Sequence, residues 1–280
     1  MEKITKTLKI NNLLVNFDTP IVMGILNVTP DSFFIKSRNV SDVEILHTVE
    51  NFLSEGAQII DIGGFSTRPA AENILENEEI SRLSNALQLI LRKFPEVIIS
   101  VDTFRAQVVT EICKNFNVHI INDVGGGMWD EQMFETVART KTAYILTHTS
   151  PTRASMMNNF SYNDIIVDIM TFFNNKIKKL NSLGINNIII DPGFGFAKNT
   201  EQNFELFSKI KYLDIFNSPI LVGISRKSMI QQMLNISSDG ALNATTVLNT
   251  LALVQGADIL RVHDVKEAVE AIKLYSLFAK

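Results

Sequence analysis

IVMGILN, residues 21–27, is apolar or glycine at every position until it ends on an amide. A continuous run of this kind, without alternation, is the pattern of a strand covered on both faces, as in a parallel sheet. Seven more follow it: QIIDIGG at 58–64, VIISVD at 97–102, HIIND at 119–123, AYILTH at 143–148, IIIDPG at 188–193, ILVGIS at 220–225 and ILRVH at 259–263. Helical periodicity fills the intervals. Ser41 and Glu44 have capping-box spacing, Val43, Leu46, Val49 and Leu53 form an apolar stripe behind them, and Gly56 is the stop. Residues 160–183 carry the longest stripe, closed by Gly184, and further helices are expected at 77–94, 105–116, 130–139, 201–212, 242–255 and 265–278. The first 20 residues, with two short stretches about Asn11 and Asn12, read as a hairpin. Eight strand-helix units in one domain spanning 1–280 fit a (β/α)8 TIM barrel with an N-terminal β-hairpin. A doubly wound open sheet is the alternative, but the GxGxxG phosphate turn it would carry near its start is absent.

Composition limits the function. Hydrophobic residues make up 46% of the 280 positions, enough for a large core, and no apolar run reaches membrane-spanning length. The start, MEKITKTLKI, lacks the apolar block of a secretory signal, so a cytoplasmic protein is expected. A formal charge of -4 argues against nucleic acid as a partner while leaving room for an anionic small molecule in a locally cationic pocket. The single cysteine, Cys113, has no internal disulfide partner and is read as a packed thiol.

In a barrel the site lies at the carboxyl ends of the strands. Polar residues close every run: Asn27, Asp61, Asp102, Asn122 with Asp123, His148, Asp191, Ser225 to Lys227, and Arg261 with His263. Any one of them can cap the next helix. A whole ring converging on one mouth is costly unless it is paired or liganded. Asp102, Asn122, Asp191 and Lys227 suit the edges of a flat heterocycle bearing several N–H groups and a carbonyl. Arg68, Arg261 and His263 suit a polyanion such as pyrophosphate, and Asn27 is an oxygen ligand for an accompanying Mg2+. His47 sits in a helical stripe and reads as structural, while His148 follows a strand end without a ligand partner in the sequence. HExxH, CxxC and GxSxG are absent, which leaves zinc hydrolysis and serine acyl transfer unsupported.

MGILNVTPDSF, GAQIIDIGGFSTRP, ISVDTF, INDVGGG, IIDPGFGFAKN, LVGISRKS and GADILRVHDVKEAVEAI occur in this order. In these segments the chain resembles the dihydropteroate synthase family over nearly its whole length. The resemblance implies a pterin pocket of Asp102, Asn122, Asp191 and Lys227, lined by Phe196 and Gly223, with Arg261 stacked on the ring. It implies a pyrophosphate site at Asn27 (through Mg2+), Thr67, Arg68, Arg261 and His263, and a p-aminobenzoate site at Phe33, Thr67, Arg68, Pro69, Phe196 and Ser225. Asp102, Arg68, Lys227 and Arg261 are the groups expected to act in catalysis, on two small-molecule substrates, in a homodimer.

The chain leaves the family pattern at several places. FIKSRNVS follows PDSF where the family has a polar stretch with Gly-Gly; Phe65 stands for Glu, Ala70 and Ala197 for Gly, and Thr147 and Thr149 flank His148 in place of Met. Two other readings stay open at this point: a pterin-binding methyltransferase that passes a folate methyl group to a corrinoid protein, and a pterin-binding protein without catalysis. SRKS at 225–228 and STRP at 66–69 favour a site that handles phosphate.

Overall fold

The computed structural model describes residues 6–10, 13–29, 42–65, 74–156 and 160–279. Eight parallel strands, β3 (Ile21–Asn27), β4 (Ile59–Gly63), β5 (Ile98–Asp102), β6 (Ile120–Asp123), β7 (Ala143–Thr147), β8 (Ile188–Asp191), β9 (Leu221–Val222) and β10 (Ile259–Val262), pair in the order β8-β7-β6-β5-β4-β3-β10-β9. One parallel bridge, Ile190 to Ile220, and the bond from Ile190 N to Pro219 O at 2.9 Å join the two ends of this sheet. The expected (β/α)8 barrel is therefore present.

The apolar runs conceal a two-residue alternation. Ile21, Met23, Ile59, Ile120, Ala143, Ile145, Ile189, Leu221 and Ile259 share one core inside the barrel. Val22, Ile60, Ile62, Ile99, Val101, Ile121, Tyr144, Leu146, Ile190, Val222 and Leu260 join a second core under the surrounding helices. Each fully buried Ile or Leu contributes about 1.5–3 kcal/mol, so both faces of every strand stabilise the barrel. The hairpin of β1 (Thr7–Ile10) and β2 (Leu13–Asn16) supplies Leu8 and Ile10, which with Phe17 plug the amino-terminal end of the inner core. Lys6, buried beside the plug, bonds Asp258 and Asp214 at 2.8 Å each.

The helices among the described residues are α1 (Asp42–Glu55), α2 (Glu76–Lys93), α3 (Ala106–Asn115), α4 (Met133–Thr140), α5 (Ile165–Ser182), α6 (Thr200–Ser208), α7 (Ser228–Leu234), α8 (Leu242–Val254) and α9 (Val265–Phe278). In α2, Leu83, Ala86, Leu87 and Ile90 are buried at the expected spacing, with acidic residues in the first turn and Arg92 and Lys93 in the last.

Boundaries differ from the sequence reading where a side chain caps a turn. The stripe over 160–183 becomes helical only at Ile165, because the Asp164 carboxylate accepts the N–H groups of Ile166 and Val167. The segment 130–139 becomes helical only at Met133, since Asp130 accepts from Ala106 N and Gln132 N. The expected 201–212 helix ends at Ser208 and continues as a 3-10 turn, Ile210–Phe216. α7 has no counterpart in the sequence reading, being a seven-residue helix too short to show a period. Val43 is exposed rather than part of the α1 stripe, and His47 is exposed too, its Nε2 3.2 Å from Asn51 Nδ2. Cys113 is half-buried, and burial pushes its thiol up to about 11, as suits a packed and unreactive side chain.

Removing the α5 cap by Asp164→Ala should lower stability by about 1 kcal/mol. The midpoint of urea unfolding should fall with the slope unchanged.

Candidate active site

Strand pleating turns alternate side chains into the barrel, and at the carboxyl ends the inward positions are polar. Asn27, Gly63, Asp102 and Asn122 stand side by side in the register of β3 to β6. Asp191 ends β8, Gly223 follows β9, and Arg261 and His263 face inward from the end of β10 and just beyond it. Four of the expected residues, Phe33, Thr67, Arg68 and Pro69, lie outside the described residues, as do Ser41 and Ala70. The others are brought to one mouth.

Arg261 is the centre of the arrangement. Its Nε donates to Asp61 Oδ2 at 2.7 Å, and its Nη2 lies 2.6 Å from the same oxygen and 2.8 Å from Asp102 Oδ2. Burial alone would lower its pKa, but Asp61 and Asp102 more than reverse this and keep it charged. Asn122 Nδ2 also donates to Asp61 Oδ2, at 3.0 Å. Burial raises the Asp102 carboxyl above the usual carboxylate range, with the charges of Asp61, Glu79 and Asp123 adding to the rise, while the Arg261 guanidinium at 2.8 Å opposes it and favours the ionised form. In the sequence Asp61 reads only as a strand-end carboxylate. The signal for more is there: it is an acid in the interior of a strand run, one inward position below Gly63.

Lys227 approaches from the loop after β9. Its ammonium donates to the Phe194 carbonyl and lies 4.3 Å above the centre of the Phe196 ring. Gly195, at φ +81°, makes the room, since a Cβ there would stand 3.2 Å from Lys227 Cδ. Burial lowers the Lys227 pKa to about 8, against the opposing charge of Asp191. Asp191, buried and raised for that reason, accepts Gly193 N at 2.8 Å.

The turn bearing Phe194 and Phe196 is held from beneath by Lys198, to which the sequence reading gives no role. Its buried Nζ is 3.0 Å from each of Gly193 O, Phe196 O and His148 Nδ1. Burial lowers Lys198 to about 7 and, together with the Lys198 charge, holds His148 well below its usual range. His148 is thus placed beside Lys198 as a support of the turn. Ala197 completes the turn at φ +53°, a left-handed conformation that costs an alanine about 1–2 kcal/mol relative to glycine.

Ser225 and His263, expected on different substrates, are bonded to each other, Ser225 Oγ standing 3.0 Å from His263 Nδ1. Between Ser225 and Lys227, Arg226 grips Asp264 through two parallel bonds, Nε to Oδ2 at 2.9 Å and Nη2 to Oδ1 at 2.8 Å, which ties this loop to the one after β10. Asp123 points the other way from Asn122. It accepts Tyr144 Oη at 2.5 Å and the N–H groups of Gly125 and Gly127, so it shapes the GGG loop instead of facing the mouth.

Asn27 is half-buried at the mouth, and its Oδ1 would lie 3.3 Å from a Cβ placed on Gly63. Among the described residues no three His, Cys, Asp or Glu side chains are grouped to enclose a metal ion. A single amide oxygen fits Mg2+ that arrives with phosphate and keeps its waters, because Mg2+ needs few protein ligands.

A sequence model of the pterin binding enzyme family matches residues 23–263. The dihydropteroate synthase of Escherichia coli K12 is 38% identical over 257 residues, covering 91% of this chain and 90% of that protein. A crystal structure of the Yersinia pestis dihydropteroate synthase with a sulfonamide drug superposes with a TM-score of 0.91 at 37% identity, over 98% of this chain and 99% of that one. That of the Thermus thermophilus enzyme with 4-aminobenzoate gives 0.86 at 31% identity, over 97% and 99%. The chain belongs to the pterin binding enzyme family, among its dihydropteroate synthases.

Proposed function

We infer that the chain condenses 6-hydroxymethyl-7,8-dihydropterin pyrophosphate with p-aminobenzoate, giving 7,8-dihydropteroate and pyrophosphate in folate synthesis. The observation that carries the reading is the convergence of Asp102, Asn122, Asp191, Lys227 and Arg261 on one barrel mouth in a chain so closely related to dihydropteroate synthases.

Asp102, Asn122 and Asp191 accept from the N–H edge of the pterin, and Lys227 donates to its carbonyl side, with the Phe196 ring and Gly223 as walls. Arg261, held on edge by two carboxylates, lies against the pterin and faces the pyrophosphate together with His263. By the family resemblance Thr67 and Arg68 are assigned to the anion site, and Phe33, Pro69 and Ser225 to p-aminobenzoate. In the reaction the bond from the pterin methylene carbon to the pyrophosphate oxygen breaks, and the oxygen keeps the electron pair. The amine nitrogen then forms the new bond and loses a proton to water. Negative charge gathers on the leaving group, where each preorganised cation contributes about 3–4 kcal/mol. The methylene gains positive charge in conjugation with the ring, and the Asp102 carboxylate stabilises it. Because an arylamine is already a nucleophile, no strong base is needed beside it. Asn27 and the pyrophosphate oxygens would hold Mg2+, which when bound neutralises part of the leaving group's charge.

The chain is proposed to act in the cytoplasm as a homodimer. No helix of the described residues is long and apolar enough to cross a membrane. α8 exposes Val247, Leu251 and Val254 while burying Thr245 and Asn249, and α9 exposes Leu274, Leu277 and Phe278. A second copy of this chain is the occupant that would cover these two adjacent helices.

A steady-state assay of pyrophosphate release with both substrates and Mg2+ tests the activity; pterin binding without release would mark a binding protein instead. Lys227→Ala should raise the KM for the pterin substrate roughly 10- to 100-fold, the worth of a charged hydrogen bond, whereas Arg68→Ala should mainly lower kcat. Equal loss of pterin affinity in both would contradict these roles. With rising pH, pterin binding should weaken through about 8, where Lys227 loses its proton, not near 10.5 as for an ordinary lysine; titration calorimetry at several pH values reads this limb. Light scattering should find a dimer in the unaltered chain and a monomer in Leu251→Glu.

A further inference from the structure

The polar ring at the mouth has a lower tier. Gly63 of β4 stands level with Asp102 of β5, and Asp102 with Asn122 of β6, whereas Asp61 lies one inward position deeper, level with Ser100. Asp61 is 0% exposed, so it does not reach a ligand seated above the upper tier. Its Oδ2 nevertheless receives three contacts: Arg261 Nε at 2.7 Å, Arg261 Nη2 at 2.6 Å and Asn122 Nδ2 at 3.0 Å. Its other oxygen, Oδ1, is buried without a hydrogen-bond partner in the structure, as is Ser100 Oγ beside it. A buried carboxylate with one oxygen unused is expensive for the fold, and an apolar side chain in this tier would cost less. What offsets that expense is the pair of upper-tier groups it holds.

We propose that Asp61 is a positioning residue for the pterin pocket, fixing both the plane of the Arg261 guanidinium and the polarity of the Asn122 amide. The second effect follows from donor chemistry. An ionised carboxylate only accepts, so the Asn122 atom facing Asp61 is the NH2 group, and Oδ1 is the atom left to the mouth. Asn122 therefore offers an acceptor and selects a ligand that presents an N–H there. Arg261, held on Nε and Nη2, cannot rotate about its last bonds without losing contact with Asp61 or with Asp102. Arg261 comes from the far end of the chain, and only the closing of β10 beside β3 brings it into one device with β4, β5 and β6. This inference rests on the reading of the mouth as a pterin site.

The test combines binding and kinetics on the full chain. Calorimetry with 6-hydroxymethylpterin should give at least tenfold weaker binding for Asp61→Asn than for the unaltered chain. The KM for the pterin pyrophosphate should rise with it, while the KM for p-aminobenzoate stays within about twofold. A merely structural role would reduce the active fraction, lowering kcat and leaving both KM values where they were, and that result would overturn the proposal. Combined with Arg261→Lys or with Asn122→Ala, Asp61→Asn should add little to the larger single effect, because the residues act as one unit; effects that multiply would overturn it. If Asp61→Asn does not fold, a crystal structure of the unaltered chain with 6-hydroxymethylpterin decides: Asp61 Oδ2 should still hold Arg261 and Asn122, with Asn122 Oδ1 accepting from the ligand. Release of Arg261 from Asp61 would overturn the proposal. No pterin binding by the unaltered chain would remove the pocket reading and the proposal together, whereas equal binding by the unaltered chain and Asp61→Asn would remove the proposal alone.

Discussion

A guanidinium placed inside a β-barrel must be neutralised where it stands, and Arg261 is neutralised twice, by Asp61 from β4 and Asp102 from β5. β10 and β4 flank β3 in the sheet, so the clamp reaches across a whole strand through the barrel interior. Removing either acid leaves a buried charge short of its partner, and removing the arginine leaves two carboxylates facing each other, an arrangement that costs several kcal/mol. The rest of the mouth is arranged around this constraint. Asn122 shares the Asp61 oxygen, and Lys227 and Asp191 occupy the opposite side, where their charges pull against the cost of their own burial.

Much of this was legible in the sequence, because the barrel writes itself as apolar runs ending on polar residues. The runs marked the strands, and their last residues marked most of the described mouth. Depth was hidden. Asp61 and Gly63 sit in one run, and only pairing with β5 shows that the glycine is level with Asp102 and the acid lies beneath it. Facing was hidden as well: Asn122 and Asp123 are neighbours in the chain, yet one enters the barrel and the other folds a loop outside it. Lys198 could not be assigned because its partners, two carbonyls and a histidine fifty residues away, leave no mark on residue types. α7 escaped for a simpler reason: two turns are too few to display a period.

The departures from the family pattern that fall among the described residues, Phe65, Thr147, Thr149 and Ala197, are accommodated by local chemistry; FIKSRNVS and Ala70 lie outside them. Phe65, where a glutamate was expected, is packed edge-on against Phe104 at 5.4 Å, and the guanidinium carbons of Arg153 and Arg105 lie 4.4 and 5.0 Å from its ring centre. Aromatic faces attract guanidinium groups, so this apolar residue, two positions beyond β4, engages two cations. Thr147 and Thr149 are buried on either side of His148, where smaller polar side chains replace the expected methionines. Ala197 keeps a turn suited to glycine, fastened by the Met156 carbonyl at 2.7 Å and by Tyr162, whose hydroxyl donates to the Ala197 carbonyl at 3.0 Å.

The barrel is not equally stitched around its circumference. Between β3 and β4 five residue pairs are in register, while β8 meets the segment before β9 through the single bridge of Ile190 and Ile220. A sheet that opens does so at its least bonded seam, well before the global unfolding of the core. Asp191 stands on one lip of that seam and Lys227 hangs from the other. A ligand that gripped both would be a staple across it, so occupancy of the mouth and closure of the cylinder would be thermodynamically linked, and the backbone amides of this seam would exchange more slowly with solvent in the occupied state.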